Sequence, residues 1–364
     1  MEILPKTLGT RPRLAVEVRA EGVVAARAED ATALLMGVAR ADLAEGAVAP
    51  GLKVGNIVDK TAVTAAVRRV LDAVAGTGRE RSRDVTVVVP DSAVRVLFVD
   101  FDQLPSKAVE ALPVVRFRLK KLLPFDADEA IVSYQVMSNE KNAVKLLAVA
   151  MPKAVLEEYE AVVLAAGYLP GAVLPSTLAA LAGLDEVAAP VLVVNAGTAA
   201  VTTAIVQGEA LLLHRSFDMT AGVSAPVTTV VPVVDRESTA QEWAQQEALG
   251  PDGWDRFDAE AAMQTSVVET AVMRERGIRA DVREVAQAVS VAAAYFEDSL
   301  QRSPEQLLVA GTLGAESLAA MMEESGLEGL RVRELVDAGM IEVGAVTASV
   351  PRGWLAGVRG ALRN

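Results

Sequence analysis

The residues best placed to do chemistry are Asn195-Ala-Gly-Thr198, set between two apolar runs at 191–194 and 201–206. A short polar turn between two β-branched runs reads as a hairpin. Gly197 permits positive φ there, and Asn195 and Thr198 bring side-chain oxygens. Such a turn can wrap backbone N–H groups round a phosphate. An ordinary hairpin with a glycine turn needs the same four residues, so the motif alone leaves both readings open. Other chemistry is thinly supplied. The chain has no Cys, which excludes disulfides, thiolate metal sites and a cysteine nucleophile. Its one histidine, His214, lies in an apolar run and reads as a packed strand residue rather than a base or ligand; no nucleophile elbow accompanies it. Asp218, Asp235 and Glu237 follow the hairpin as candidate bases, and none stands out.

The elements that must hold this turn read as follows. Residues 14–19 and 23–27 predict a first hairpin, with Ala20-Glu21-Gly22 between its strands, and another apolar run covers 31–38. Asp59 is placed to cap a helix to about Val74, with Val63, Val67, Val70, Leu71 and Val74 on one face. A module of order β-β-α-β-β-α follows over 85–166. Its helix contains Pro113, which predicts a kink or two short helices, and ends in the basic run Arg116 to Lys121. After the Val191 hairpin a third strand is expected at 211–217, then a strand pair within 220–234 and helices at 238–249 and 257–276. Asp281 and Glu284 form a capping box for a long helix striped by Val282, Val285, Val289, Ala293, Phe296 and Leu300. A strand at 306–310 leads through Gly311-Thr-Leu-Gly314 into another helix. Trp354, Leu355, Val358 and Leu362 share one side of a short basic helix at the end, read as part of the fold rather than as a membrane anchor.

The chain's 364 residues predict two lobes. A net charge of −13 argues against nucleic-acid binding, which needs Lys and Arg to neutralise phosphates. Two low-charge stretches, 161–184 and 187–208, are broken by Gly, Pro and Asn and do not read as membrane spans. No basic, then apolar, leader opens the sequence.

Hairpin-rich sheets followed by helices occur twice, with a Gly-rich strand-to-helix turn near the end. Together with Gly55-Asn-Ile-Val-Asp59, the insert containing Phe117 to Tyr134, and Tyr295-Phe296, this layout resembles the PilM family. These are actin-like proteins of type IV pilus assembly, related to the division protein FtsA. The resemblance implies an α/β, actin-like (ribonuclease H-like) two-lobe fold with the inserted subdomain. Lobe 1 takes residues 1–84 and 167–190, the insert 85–166, lobe 2 residues 191–340, and 341–364 return to lobe 1. Residues 220–279 depart from the family.

In such proteins ATP with Mg²⁺ lies between the lobes. The resemblance places Glu17, Arg19, Asn195, Gly197, Thr198, Gly311 and Gly314 at that site. Several depart from the pattern. Arg19 stands where the family has glycine, and a side chain there obstructs phosphate unless its guanidinium contacts the phosphate itself. Asn195 stands where a carboxylate is common, which weakens Mg²⁺ handling. Gly311-Thr-Leu-Gly314 lacks consecutive glycines. No catalytic residue and no protein metal ligand is assigned. The function implied is a cytoplasmic scaffold, under the inner membrane, that binds the N-terminal tail of a PilN-like bitopic protein beside the insert and connects it to the assembly ATPases, as an oligomer or ring. The alternative on the same fold is an active ATPase or a sugar-kinase-like phosphotransferase. A type II secretion relative of GspL would carry a membrane span after the actin-like region.

Overall fold

A computed structural model of the chain describes residues 12–76, 83–140, 143–185, 189–208, 210–219, 283–324, 330–342 and 350–363. Two compact units divide the chain, one of 1–219 with 284–364 and one of 220–283. The strand pair read for 220–234, the helices at 238–249 and 257–276, and Asp281 of the capping box lie outside the described residues.

The first unit is built on two sheets of the same plan. Strands β1 (Leu14–Val18), β2 (Gly22–Ala28), β3 (Leu35–Asp42), β4 (Asp84–Val89) and β8 (Leu169–Pro175) run in the order β3-β2-β1-β4-β8. Strands β9 (Val191–Ala196), β10 (Ala200–Gln207), β11 (Ala210–Asp218), β12 (Gln306–Gly311) and β13 (Arg331–Glu334) run in the order β11-β10-β9-β12-β13. In each sheet an antiparallel hairpin lies beside two parallel strands. β4 is apolar from Val85 except for the buried Thr86, and β9 is apolar from Val191 to Val194, because sheet neighbours and packed layers cover both faces.

Helix α1 (Lys60–Val74) forms as its sequence predicts. The Asp59 carboxylate accepts the Ala62 N–H, and Val63, Val67, Val70, Leu71 and Val74 are buried. The Gly55-Asn-Ile-Val-Asp59 stretch before it is held by side chains. Glu158 takes the N–H of Gly55 at 2.6 Å and of Ile57 at 3.1 Å, and Asn56 accepts from the Tyr159 hydroxyl at 3.1 Å.

The six elements read over 85–166 divide differently in space. β4 joins the first sheet, and α3 (Lys153–Ala165) packs Val155, Tyr159 and Val162 into the same core as α1. What stands as a module is β5 (Arg95–Phe101), α2 (Ala108–Leu119), β6 (Ala130–Glu140) and β7 (Ala143–Pro152), with strand order β5-β7-β6 and its own apolar cluster. α2 continues through Pro113 as one helix. β8 and α4 (Ser176–Ala182) arise in the stretch the sequence reads only as broken by Gly and Pro. One apolar cluster draws residues from both sheets, from α4 and from the final helix Ala356–Leu362. Among the described residues no helix is long and apolar enough to cross a membrane.

Candidate functional site

The repeated sheet plan brings two hairpin turns together. In the first, the Arg19 N–H donates to the Gly22 carbonyl at 2.9 Å; in the second, the Gly197 N–H donates to the Ala200 carbonyl at 3.0 Å. Arg19 and Gly197 therefore occupy the same place in the two turns. Two residues earlier, Glu17 and Asn195 correspond as well.

Between the turns runs a buried polar chain. Arg19 Nη2 lies 2.6 Å from Glu17 Oε1 and donates to Ser176 Oγ at 3.0 Å. Ser176 Oγ donates to Glu17 Oε1 at 2.6 Å. Asn195 Nδ2 reaches Ser176 Oγ at 2.8 Å and Thr177 Oγ1 at 3.0 Å. Asp91 accepts from Thr177 through its N–H at 3.0 Å and its hydroxyl at 2.5 Å, and from the Thr202 hydroxyl at 3.0 Å. The chain thus links β1, α4, the turn after β4, and the β9–β10 hairpin. Glu17 is wholly buried. Its burial pushes the carboxyl above the usual carboxylate range, and the attraction of Arg19 offsets this only in part. Among the described residues, Glu17 Oε2 and Asn195 Oδ1 find no hydrogen-bond donor.

At the mouth stands Glu21. Its Oε1 accepts the Thr198 N–H at 2.5 Å and the Thr312 hydroxyl at 3.2 Å.

The residues singled out in the sequence fall into three groups. Glu17, Arg19, Asn195 and Gly197 line one cavity, together with Glu21, Asp91 and Ser176. Thr198 and Gly311 adjoin it. Gly311 has φ +96°, and a Cβ there would stand 2.2 Å from the Ala196 carbonyl and 2.8 Å from Asn195 Oδ1. Gly314 stands apart, with its nearest neighbour Glu334, whose carboxylate accepts the Ala315 N–H at 2.9 Å. Gly197 is not left-handed, contrary to its sequence reading. Glycine gives space here instead, since a Cβ would lie 3.0 Å from Glu21 Oε1 and that side chain would have to shift slightly. Asp91, Ser176, Thr177 and Glu21 escaped sequence reasoning. The signals available were Pro90-Asp91 closing a buried strand and Pro175-Ser176-Thr177 opening a helix.

Asp218 pairs with Arg95 at 3.8 Å and does not line this cavity, while Asp235 and Glu237 lie outside the described residues. His214 sits on β11, where burial pushes its imidazole below its ordinary pKa against the opposing pull of Asp91. Among the described residues no group of three or more His, Asp or Glu could hold a metal ion.

The cavity measures about 30 Å³. Sites for small organic ligands run to about 300–1,000 Å³. With Arg19 and Glu21 placed as they are, the cavity is too small for a nucleotide unless these side chains move.

No family model and no curated protein matches the chain. Among solved structures, a chain of a "PilM-PilN type IV pilus biogenesis complex" is similar with a TM-score of 0.68 at 17% identity, over 96% of this chain and 98% of that one. The fold is actin-like. It carries the two lobes expected from the sequence, with the β5-α2-β6-β7 module inserted in the first. More distantly, the ethanolamine utilization protein EutJ from Carboxydothermus hydrogenoformans matches with a TM-score of 0.42 at 10% identity, over 96% of this chain and 89% of that one. A Bacteroides thetaiotaomicron protein with an actin-like ATPase fold and unknown function matches with a TM-score of 0.38 at 10% identity, over 90% and 93%.

Proposed function

We propose that this chain is an actin-like scaffold of type IV pilus assembly that lacks working phosphotransfer chemistry. In this reading it stands at the cytoplasmic face of the inner membrane and binds the N-terminal tail of a PilN-like bitopic protein beside its inserted module. From there it connects that protein to the assembly ATPases, as an oligomer or ring. The observation that carries the reading is the correspondence, over nearly the whole length of both chains, with a chain of the PilM–PilN complex. The module offers a surface suited to a peptide. Phe117 and Val109 on α2 are 69% and 86% exposed, and β6 is an outer strand with Ile131 and Val136 exposed. Outer strands and apolar pockets are what an extended tail uses.

The test is a titration of the full chain with synthetic N-terminal tails of bitopic proteins encoded beside it, with ATP turnover measured in parallel in Mg²⁺. One tail is expected to bind. Phe117→Glu is expected to weaken that binding at least tenfold, as loss of a buried aromatic anchor does, without lowering Tm. Turnover is expected at background. Turnover above about 1 s⁻¹, the low end of ordinary enzymes, with no tail bound, would overturn the proposal.

A further inference from the structure

The geometry points to Glu21 as a resident anion: its carboxylate fills the anion cradle of the β9–β10 turn and latches the two lobes, so that a phosphate-bearing ligand enters only by displacing it. This rests on the proposed function, in which the chain lacks working phosphotransfer chemistry. In the second turn, Gly197 spends its N–H on the turn's own bond to Ala200, which leaves the Thr198 N–H to point outward. That N–H meets Glu21 Oε1 at 2.5 Å. The Thr312 hydroxyl, from the turn after β12, reaches the same oxygen at 3.2 Å. Gly197 clears the approach, because a Cβ there would stand 3.0 Å from that oxygen. Two donors and a bare backbone from one lobe therefore converge on a carboxylate oxygen from the other.

A carboxylate oxygen and a phosphate oxygen ask for the same thing, outward N–H and O–H groups in a concave turn. The two cannot hold these donors together. Glu21 is in the first turn at the place that Ala199 holds in the second, counting from the matched Arg19 and Gly197. At this place the latch is one-sided, because Ala199 carries no polar side chain that could reach back. Arg19, which fills the space beside it, is already paired with Glu17 and does not compete for Glu21's bonds to the second lobe.

The experiment compares the full chain with Glu21→Ala and Glu21→Gln, titrating each with sodium pyrophosphate and, separately, with ATP and Mg²⁺. Hydrogen exchange at the Thr198 amide is followed in all three. Glu21 lies half-buried on a turn, so the variants are expected to fold, and thermal melts check this. Glu21→Ala should speed exchange at Thr198 about tenfold or more and bind anion at least tenfold tighter than the wild-type chain. Glu21→Gln, which keeps an acceptor oxygen without the charge, should fall between. A gain for both ligands assigns the cradle to phosphate as such; a gain for ATP alone assigns it to a nucleotide. Unchanged exchange at Thr198, or no gain in affinity for either ligand in Glu21→Ala, overturns the inference. ATP turnover by the wild-type chain above about 1 s⁻¹, with no tail bound, would sink the scaffold reading instead, and the ratio between variants is read independently of it.

Discussion

Arg19 and Glu17 show how one residue sets the chemistry of a cleft. Glycine at the matching place in the second turn leaves backbone exposed; arginine in the first brings a cation that must be buried beside a buried carboxylate. Breaking such a pair from one side leaves the other charge without compensation. Arg19→Ala is expected to cost about 3 kcal/mol near neutral pH, measured by denaturant unfolding. The sign with pH follows from Glu17. Its folded pKa already lies above the unfolded 4.5, so its ionised form is penalised above the folded pKa and the penalty is relieved as pH falls through it. Without Arg19 the folded pKa rises further. The deficit of Arg19→Ala should therefore shrink between pH 7.5 and pH 5; a deficit that is flat or grows over that range contradicts this account. At this scale the sequence reveals residue types but not meetings. Asp91 lies within hydrogen-bond distance of both Thr177 and Thr202, although 86 and 111 positions separate it from them, and no local pattern encodes that.

Elements were legible where one face pays out its own pattern. Asp59 with a 3.6-residue apolar stripe is a complete instruction for α1. The apolar runs of β4 and β9 identify strands buried on both faces, but not which sheet receives them, which is why β4 reads with the module that follows it and pairs instead with β1 and β8. β8 and α4 were hidden for another reason. Pro170, Gly171 and Pro175 read as breaks, yet an X-Pro step favours extended backbone, and Pro175 stands just before α4, where a missing N–H costs nothing. The meeting of α4 with the final helix is decided by a side chain that is absent. A Cβ on Gly360 would lie 1.8 Å from the Ala179 carbonyl and 2.8 Å from the Gly183 nitrogen, both backbone. Neither neighbour can swing aside. Gly360→Ala is expected to destabilise by at least about 3 kcal/mol, whereas Gly339→Ala, which meets nothing within 4 Å, should stay within about 0.5 kcal/mol of the wild type. Comparable melts for the two variants would show that the helices can part without cost.

For the whole molecule, the repeated sheet order explains why two turns far apart in sequence face one cavity, and the final helix explains what keeps them there. Residues 352–362 carry Trp354, Leu355, Val358 and Leu362 into the cluster that draws on both sheets. Arg359 ties the helix to the Gly183 carbonyl at 2.6 Å, and Arg40 stacks over Trp354 with 4.1 Å to the ring centroid. A helix buried on every side cannot lay an apolar face into lipid headgroups while the fold persists, so its basic, amphipathic sequence serves packing. Fully burying four such side chains is worth about 1.5–3 kcal/mol each, roughly 6–12 kcal/mol together. Whole domains are stable by only about 5–15 kcal/mol. Ending the chain at Pro351 should therefore abolish the cooperative melt followed by circular dichroism, and not merely lower its midpoint. If the shortened chain still melts cooperatively within about 10 °C of the full one, each sheet holds its own core without the helix, and the convergence of the two turns must be maintained by the Glu21 and Asp91 hydrogen bonds instead.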